Sequence, residues 1–206
     1  MTENKLLYVH PAPVRVWHWI NAAGIVLLVI TGVQIRFIEM FDFFSLEEAI
    51  NLHNYIGFLV IADYALWFAF YMGTGKIKIY FPNPKTFIQD CINQIKYYGG
   101  GIFKGDPNPH HMTPTNKFNA LQKKAYLGLM FLFLPAQMLT GLFLWRVKKF
   151  QVYIDMFGGV KIIDTVHVLL FFFFAAFLIV HSYLATLGHT PLGHFKAMFT
   201  GYEEEH

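Results

Sequence analysis

Residues 165–184 read TVHVLLFFFFAAFLIVHSYL, twenty residues without a charged side chain. A helix needs about 20 mostly apolar residues to cross a hydrocarbon layer of roughly 30 Å, so this stretch is long enough to span a membrane. Two histidines interrupt it, His167 and His181, 14 residues apart. At about 100° per residue that interval ends roughly 40° short of four full turns, so both side chains project from nearly one face, about 21 Å apart along the axis. A polar pair on one face of an otherwise apolar span is the feature from which the rest of the chain is read.

The same length test finds three more spans. The charge-free stretch around the first runs over residues 165–195; the others cover 16–35, 49–75 (broken only by Asp63) and 125–145. They predict an all-α integral membrane protein, a four-transmembrane-helix bundle formed by residues 1–206 as one domain, with spans at about 16–36, 49–73, 125–146 and 163–187. The first stretch reads as a retained span and not a cleaved signal peptide, because its apolar run is long, it carries Gln34, and no A-x-A-like site follows. Composition agrees: of 206 residues, 55% are hydrophobic, 18% aromatic and 14% charged, against about 25% charged in soluble proteins. Such a chain has ample surface to bury, which excludes disorder. A net charge of +3 without a basic arm argues against nucleic acid as a partner. The one cysteine, Cys91, excludes a disulfide framework, a Cys-rich zinc site and a Cys-ligated iron–sulfur cluster, and without C-x-x-C-H there is no covalent c-type haem.

Local signals mark the ends of these elements. Ser45-Leu46-Glu47-Glu48 fits a capping box at the start of the second helix. Asn83-Pro84 predicts a helix start, and Phe87, Ile88, Cys91, Ile92, Ile95 and Tyr98 form one apolar stripe beyond it. An amphipathic surface helix is therefore expected within the 76–124 loop, ended by Gly99-Gly100-Gly101. Thr190-Pro191 predicts a short terminal helix before Gly201, and Trp17, Trp19 and Trp145 fall where interfacial aromatics belong. The N-terminal segment, the 76–124 loop and the C-terminus hold 11 Lys and Arg residues against five on the opposite side. The positive-inside rule then puts both termini and the 76–124 loop in the cytoplasm of a multi-pass membrane protein.

On this topology six of the ten histidines fall in loops or tails: His10, His110, His111, His189, His194 and His206. The other four lie in spans. Helices one and three run outward and two and four inward, so His53 and His167 are level near the outer surface, and His18 and His181 near the inner one. Ionisable groups within a membrane are costly and usually functional. Imidazole is a common metal ligand, and haem iron takes axial histidines inside helical bundles. Gly57, four residues after His53 and on its face, and Gly24, Gly32 and Gly141 would give a planar macrocycle room. The plainer alternative, hydrogen-bonded structural histidines, does not account for two level pairs. A His-lined metal transporter would need further intramembrane acids or thiols. Asp63 reads either as a proton relay or as a structural acid bonded to a neighbouring helix. The Phe171–Phe174 run reads as lipid-facing and interior bulk.

Arg15-Val16-Trp17-His18-Trp19, Leu52-His53 with Gly57, and His167-x13-His181 resemble the bacterial di-haem cytochrome b subunits of formate dehydrogenases and nickel–iron hydrogenases. Residues 117–123 (KFNALQK), 188–192 (GHTPL) and 197–202 (AMFTGY) resemble the thiosulfate-reductase-type subunits most closely. The resemblance implies two b haems, the outer held by His53 with His167 and the inner by His18 with His181. It implies a membrane anchor passing electrons between a quinone pool (menaquinone or ubiquinone) and an iron–sulfur, molybdopterin, hydrogenase or multihaem cytochrome partner subunit. The related subunits bind quinone near the start of helix three, where this chain has Asn119, Gln122 and Lys123; a helix cap and basic anchors are the alternative there. Arg15 and Arg36, with Arg146 and Lys148, stand either at haem propionates or simply at the membrane boundary. A stand-alone cytochrome b that oxidises superoxide or another surface reductant and reduces quinone is the rival function.

Overall fold

The computed structural model describes residues 6–41, 45–110, 118–186 and 192–204. Four long apolar helices dominate it: α1 (Ala12–Arg36), α2 (Leu46–Gly73), α4 (Ala120–Trp145) and α6 (Val160–Leu184). Between α2 and α4 lie a 3-10 segment (Lys76–Tyr80) and the amphipathic helix α3 (Phe87–Lys96). Short helices α5 (Val147–Met156) and α7 (Gly193–Thr200) follow α4 and α6. The expected all-α bundle of four spans is therefore observed. Its outer surface is apolar, with Leu66 71% and Ile179 72% exposed, which suits a protein solvated by lipid and not by water.

The α1–α2 hairpin packs closely where Gly24 meets Val60. A Cβ on Gly24 would stand only 2.5 Å from a Val60 methyl, so the helices approach through the missing side chain. At the next turn Asn21 donates to the Asp63 carboxylate at 3.3 Å, and both residues are buried. Asp63 is thus bonded to the neighbouring helix. Ser45 and Glu48 form the expected capping box.

Helix α4 is not a regular α-helix throughout. Residues Leu129–Phe133 are wound as a π-helix just ahead of Pro135. In that winding a carbonyl accepts from the N–H five residues on. For Met130 that residue is Pro135, which has none. The Tyr64 hydroxyl of α2 donates to the Met130 carbonyl at 2.8 Å and supplies the missing partner. Lipid offers no alternative donor, so the proline is tolerated because a neighbouring helix satisfies the freed carbonyl.

Around this contact the main core gathers Val14, Trp67, Tyr71, Tyr80, Met130, Leu134 and Phe174. Burial pushes the Tyr80 phenol well above its ordinary value, so it stays neutral among these rings. A second cluster of Phe143, Ile154 and Ile163 anchors α5 at the opposite end of the bundle. Gly158 and Gly159, at φ +95° and +93°, turn the chain from α5 into α6.

Several local expectations are corrected. Asn83-Pro84 begins a turn, with the Asn83 side chain accepting from Lys85 N–H at 3.1 Å, and α3 starts only at Phe87. Gly99-Gly100-Gly101 does not end the helical path. It continues as a π segment (Tyr97–Gly101) to Gly105, where φ becomes +76°. Helix α5 lies between the third and fourth spans, where the sequence signals assign no element. The chain ends also pair: Leu6–Tyr8 (β1) and Tyr202–Glu204 (β2) form a two-stranded antiparallel sheet. Gly201 makes that closure possible, since its φ is +91° and a Cβ there would lie 2.6 Å from the Tyr8 ring. Thr190-Pro191 lies outside the described residues, but α7 ends at Gly201 as expected.

Replacing Tyr64 with phenylalanine keeps the ring against Trp67 but leaves the Met130 carbonyl without a donor. The expected cost is about 1–2 kcal/mol of bundle stability, read as a lower unfolding midpoint in detergent; an unchanged midpoint would refute the assigned role.

Candidate cofactor sites

The four intramembrane histidines come together as two pairs at opposite ends of the bundle. His53 of α2 faces His167 of α6, with ring centroids 6.3 Å apart and planes at 70°. His18 of α1 faces His181 of α6 at 6.2 Å and 53°. A metal–imidazole bond is about 2.0 Å, and the ring centre lies about 1.1 Å beyond the nitrogen, so two trans imidazoles on one iron have centroids roughly 6.2 Å apart. Both pairs match that spacing. Among the described residues no group of three or more His, Cys, Asp or Glu converges. The donor set therefore offers two nitrogens at each place, which suits a metal that brings its remaining ligands with it.

The His53–His167 pair opens onto a cavity of about 500 Å³ lined mainly by apolar residues, among them Leu28, Gly32, Gly57, Gly141 and Phe171. That volume is in the range of cofactor pockets. Gly57 has open space where a Cβ would be, whereas a Cβ on Gly141 would stand 3.1 Å from His167 Cε1. Gly57 thus leaves the cavity open, and Gly141 makes room for the imidazole itself. The two rings are oriented from behind: the Thr31 hydroxyl lies 2.9 Å from His53 Nδ1 and the Thr140 hydroxyl 2.9 Å from His167 Nδ1. Neither threonine was singled out from the sequence. The signal was present, because both precede a glycine (Thr31-Gly32 and Thr140-Gly141) on helices that run in the same direction. Gln137, also missed, reaches His167 Nε2 at 3.3 Å.

At the other pair, the His181 ring stacks on Phe177 with centroids 5.4 Å apart. His18 Nδ1 is buried with no hydrogen-bond partner among the described residues. The neighbours of His18 fasten the end of the chain: Trp19 Nε1 donates to the Met198 carbonyl at 3.0 Å, and its ring stacks on Phe199.

The remaining sequence candidates make the following contacts. Arg15 donates to the Phe199 carbonyl and so helps hold α7. Arg36 lines the 500 Å³ cavity and lies 3.9 Å from Asp164 in an exposed ion pair. Asn119 and Gln122 form a reciprocal capping box at the start of α4, and Asn119 also donates to the Tyr98 hydroxyl at 3.2 Å. Lys123 lines a separate polar cavity of about 440 Å³ with Asp90, Gln94 and His110. His111 and His189 lie outside the described residues.

Comparison with known proteins identifies a family. The family model described as prokaryotic cytochrome b561 matches residues 9–201. The chain is 33% identical over 203 residues to the putative cytochrome YdhU of Escherichia coli strain K12, covering 97% of this chain and 76% of that protein. A probable Ni/Fe-hydrogenase B-type cytochrome subunit of Cupriavidus necator is 27% identical over 204 residues, covering 88% of this chain and 79% of its own length. A putative protein-methionine-sulfoxide reductase subunit, YedZ1 of Azospira oryzae, is 25% identical over 197 residues, covering 90% and 93%. Four apolar spans and a family match over nearly the whole chain make this protein a member of the prokaryotic cytochrome b561 family, a multi-pass membrane cytochrome b that binds haem b and transfers electrons.

Proposed function

We propose that this chain is the membrane-anchoring subunit of a respiratory oxidoreductase complex and that it holds two b haems, His53 with His167 and His18 with His181. The observation that carries the reading is the repeated imidazole spacing, 6.3 Å at one end of the bundle and 6.2 Å at the other. Haem b supplies a one-electron ferric/ferrous couple at each end. The protein's part is to fix the imidazoles, keep water from the interior and hold the two sites at separate depths, since His167 and His181 are about 21 Å apart along α6. The names of the Cupriavidus and Azospira relatives, a hydrogenase cytochrome subunit and a reductase subunit, support a redox-enzyme partner for this chain too. Quinone serves as the diffusible partner on this reading, with Asn119, Gln122 and Lys123 at the start of α4, beside a polar cavity of about 440 Å³, as its candidate contacts. The side richer in Lys and Arg, which includes α3, faces the cytoplasm of the bacterial inner membrane.

Four experiments test this reading. Protein purified from membranes should carry about two haems per chain. His53→Ala and His167→Ala should lose the same haem, and His18→Ala and His181→Ala the other; loss of one haem common to all four would refute the pairing. Gly141→Ala forces the new methyl against His167, at about 1–3 kcal/mol, which weakens retention of that haem roughly five- to hundredfold. Gly32→Ala should retain it, because the nearest contacts there are 3.6 Å or longer. Equal haem loss from both variants would contradict the account of Gly141. For orientation, Cys91 on α3 is half-buried and is the chain's one thiol. A membrane-impermeant maleimide should label it in inverted vesicles and not in intact spheroplasts; the reverse pattern would invert the topology.

A further inference from the structure

The His53–His167 site contains the same device twice. The Thr31 hydroxyl lies 2.8 Å from the Leu27 carbonyl and 3.2 Å from that of Leu28, as well as 2.9 Å from His53 Nδ1. The Thr140 hydroxyl lies 2.8 Å from the Ala136 carbonyl, 3.0 Å from that of Gln137 and 2.9 Å from His167 Nδ1. In each case the following glycine faces the same imidazole: a Cβ on Gly32 would stand 3.7 Å from His53 Cε1, and one on Gly141 3.1 Å from His167 Cε1. One Thr–Gly pair comes from α1 and serves the histidine on α2. The other comes from α4 and serves the histidine on α6.

A hydroxyl has one proton. Here the carbonyls one turn back receive it, as is common for threonine within a helix. Only a lone pair then remains for the imidazole, so Nδ1 must carry the ring's hydrogen. A neutral imidazole has one such hydrogen, which leaves Nε2 without one, the form needed to bind a metal. At His167 the Gln137 amide nitrogen, 3.3 Å away, faces that lone pair and would give way to the metal. Reversing the bond would leave Nε2 protonated and unable to ligate. A hydrogen bond accepted from Nδ1–H also makes Nε2 more basic. The more electron-rich ligand favours ferric over ferrous iron and lowers the reduction potential. The His18–His181 site has no equivalent on the His18 side, where Nδ1 has no partner among the described residues.

We propose that Thr31 and Thr140 are positioning residues of the His53–His167 site: each hydroxyl fixes its histidine as the Nδ1–H tautomer and holds the potential of the haem bound there below the value it would have without them. The inference rests on the proposed haem ligation. It adds that the two ends of the bundle are tuned differently by the chain itself.

The test is a spectroelectrochemical titration of the detergent-purified protein, following reduced b-haem absorbance. The transition missing from His53→Ala identifies the haem in question. Thr→Val is nearly isosteric and removes the hydroxyl; Thr→Ser retains it. In the Thr31→Val, Thr140→Val double variant that transition should move upward so that the ferrous-to-ferric ratio at a fixed potential rises about tenfold, equivalent to about 59 mV for one electron. The second transition should stay in place, and the Thr→Ser double variant should titrate like the parent. Loss of that one haem from the valine variant, with retention in the serine variant, would equally support the assignment. Unmoved transitions in a valine variant that keeps both haems would overturn it. So would equal movement of both transitions, or serine variants that behave like valine. If the parent protein binds no haem at these histidines, the ligation reading fails instead, and the two failures are distinguishable by haem content.

Discussion

Two imidazoles can share one iron only if their rings are held about 6 Å apart, with both donor nitrogens bare and space between them. Each requirement resists collapse of an apolar bundle. The helices must pack tightly enough to hold together, yet remain apart at the histidines. The chain meets both demands by placing its close contacts around the cavity and not across it, Val60, Leu134 and Phe174 forming part of its lining. Gly24 lets α1 and α2 meet at Val60, and the aromatic cluster around Trp67 fills the interior nearer the His18 end. The cavity beside His53 and His167 is left open between these packed regions.

The same low-dielectric surroundings govern the polar groups. Water cannot satisfy a stray carbonyl or hydroxyl within the spans, so neighbouring groups of the protein take its place at Met130, Thr31 and Thr140. Pro135 removes one donor from α4, and Tyr64 replaces it. Beyond that proline, Gln137, Thr140 and Gly141 follow on the stretch of α4 that meets His167. The π-wound turn is therefore part of how α4 reaches the register in which its hydroxyl meets an imidazole, and a straight helix would rotate those residues away.

Span number, approximate span bounds and the separation of four histidines from six were legible because they depend on local hydropathy and on helix pitch. The pairing of His53 with His167 followed from direction alone and needed no contact map. Other features were hidden because they depend on residues far apart in the chain. The β1–β2 sheet joins the two ends of the chain, and no local pattern announces such a pairing. Helix α5 was obscured by Lys148 and Lys149, although Ile154 within it is fully buried against Phe143 and Ile163. Asn119, Gln122 and Arg15 were read for chemistry because of their polarity. In the fold they form a helix cap and a chain-end clasp. The Thr–Gly pairs were visible as letters, but their meaning appears only when each threonine is found behind an imidazole.

The two ends of the bundle also differ in how their histidines are supported. At one end, His53 and His167 are each backed by a hydroxyl from the other helix of their own hairpin, so the orientation of each ring is set by short-range packing. At the other end, His18 stands among residues that bind the C-terminal segment: Arg15 and Trp19 hold α7, while Val9 and His10 donate to the Gly201 carbonyl. That site is ordered through closure of the chain upon itself. A perturbation within either hairpin should therefore act first on the His53–His167 pair. One at the chain's ends should act first on the His18–His181 pair, although α6 carries a ligand for both.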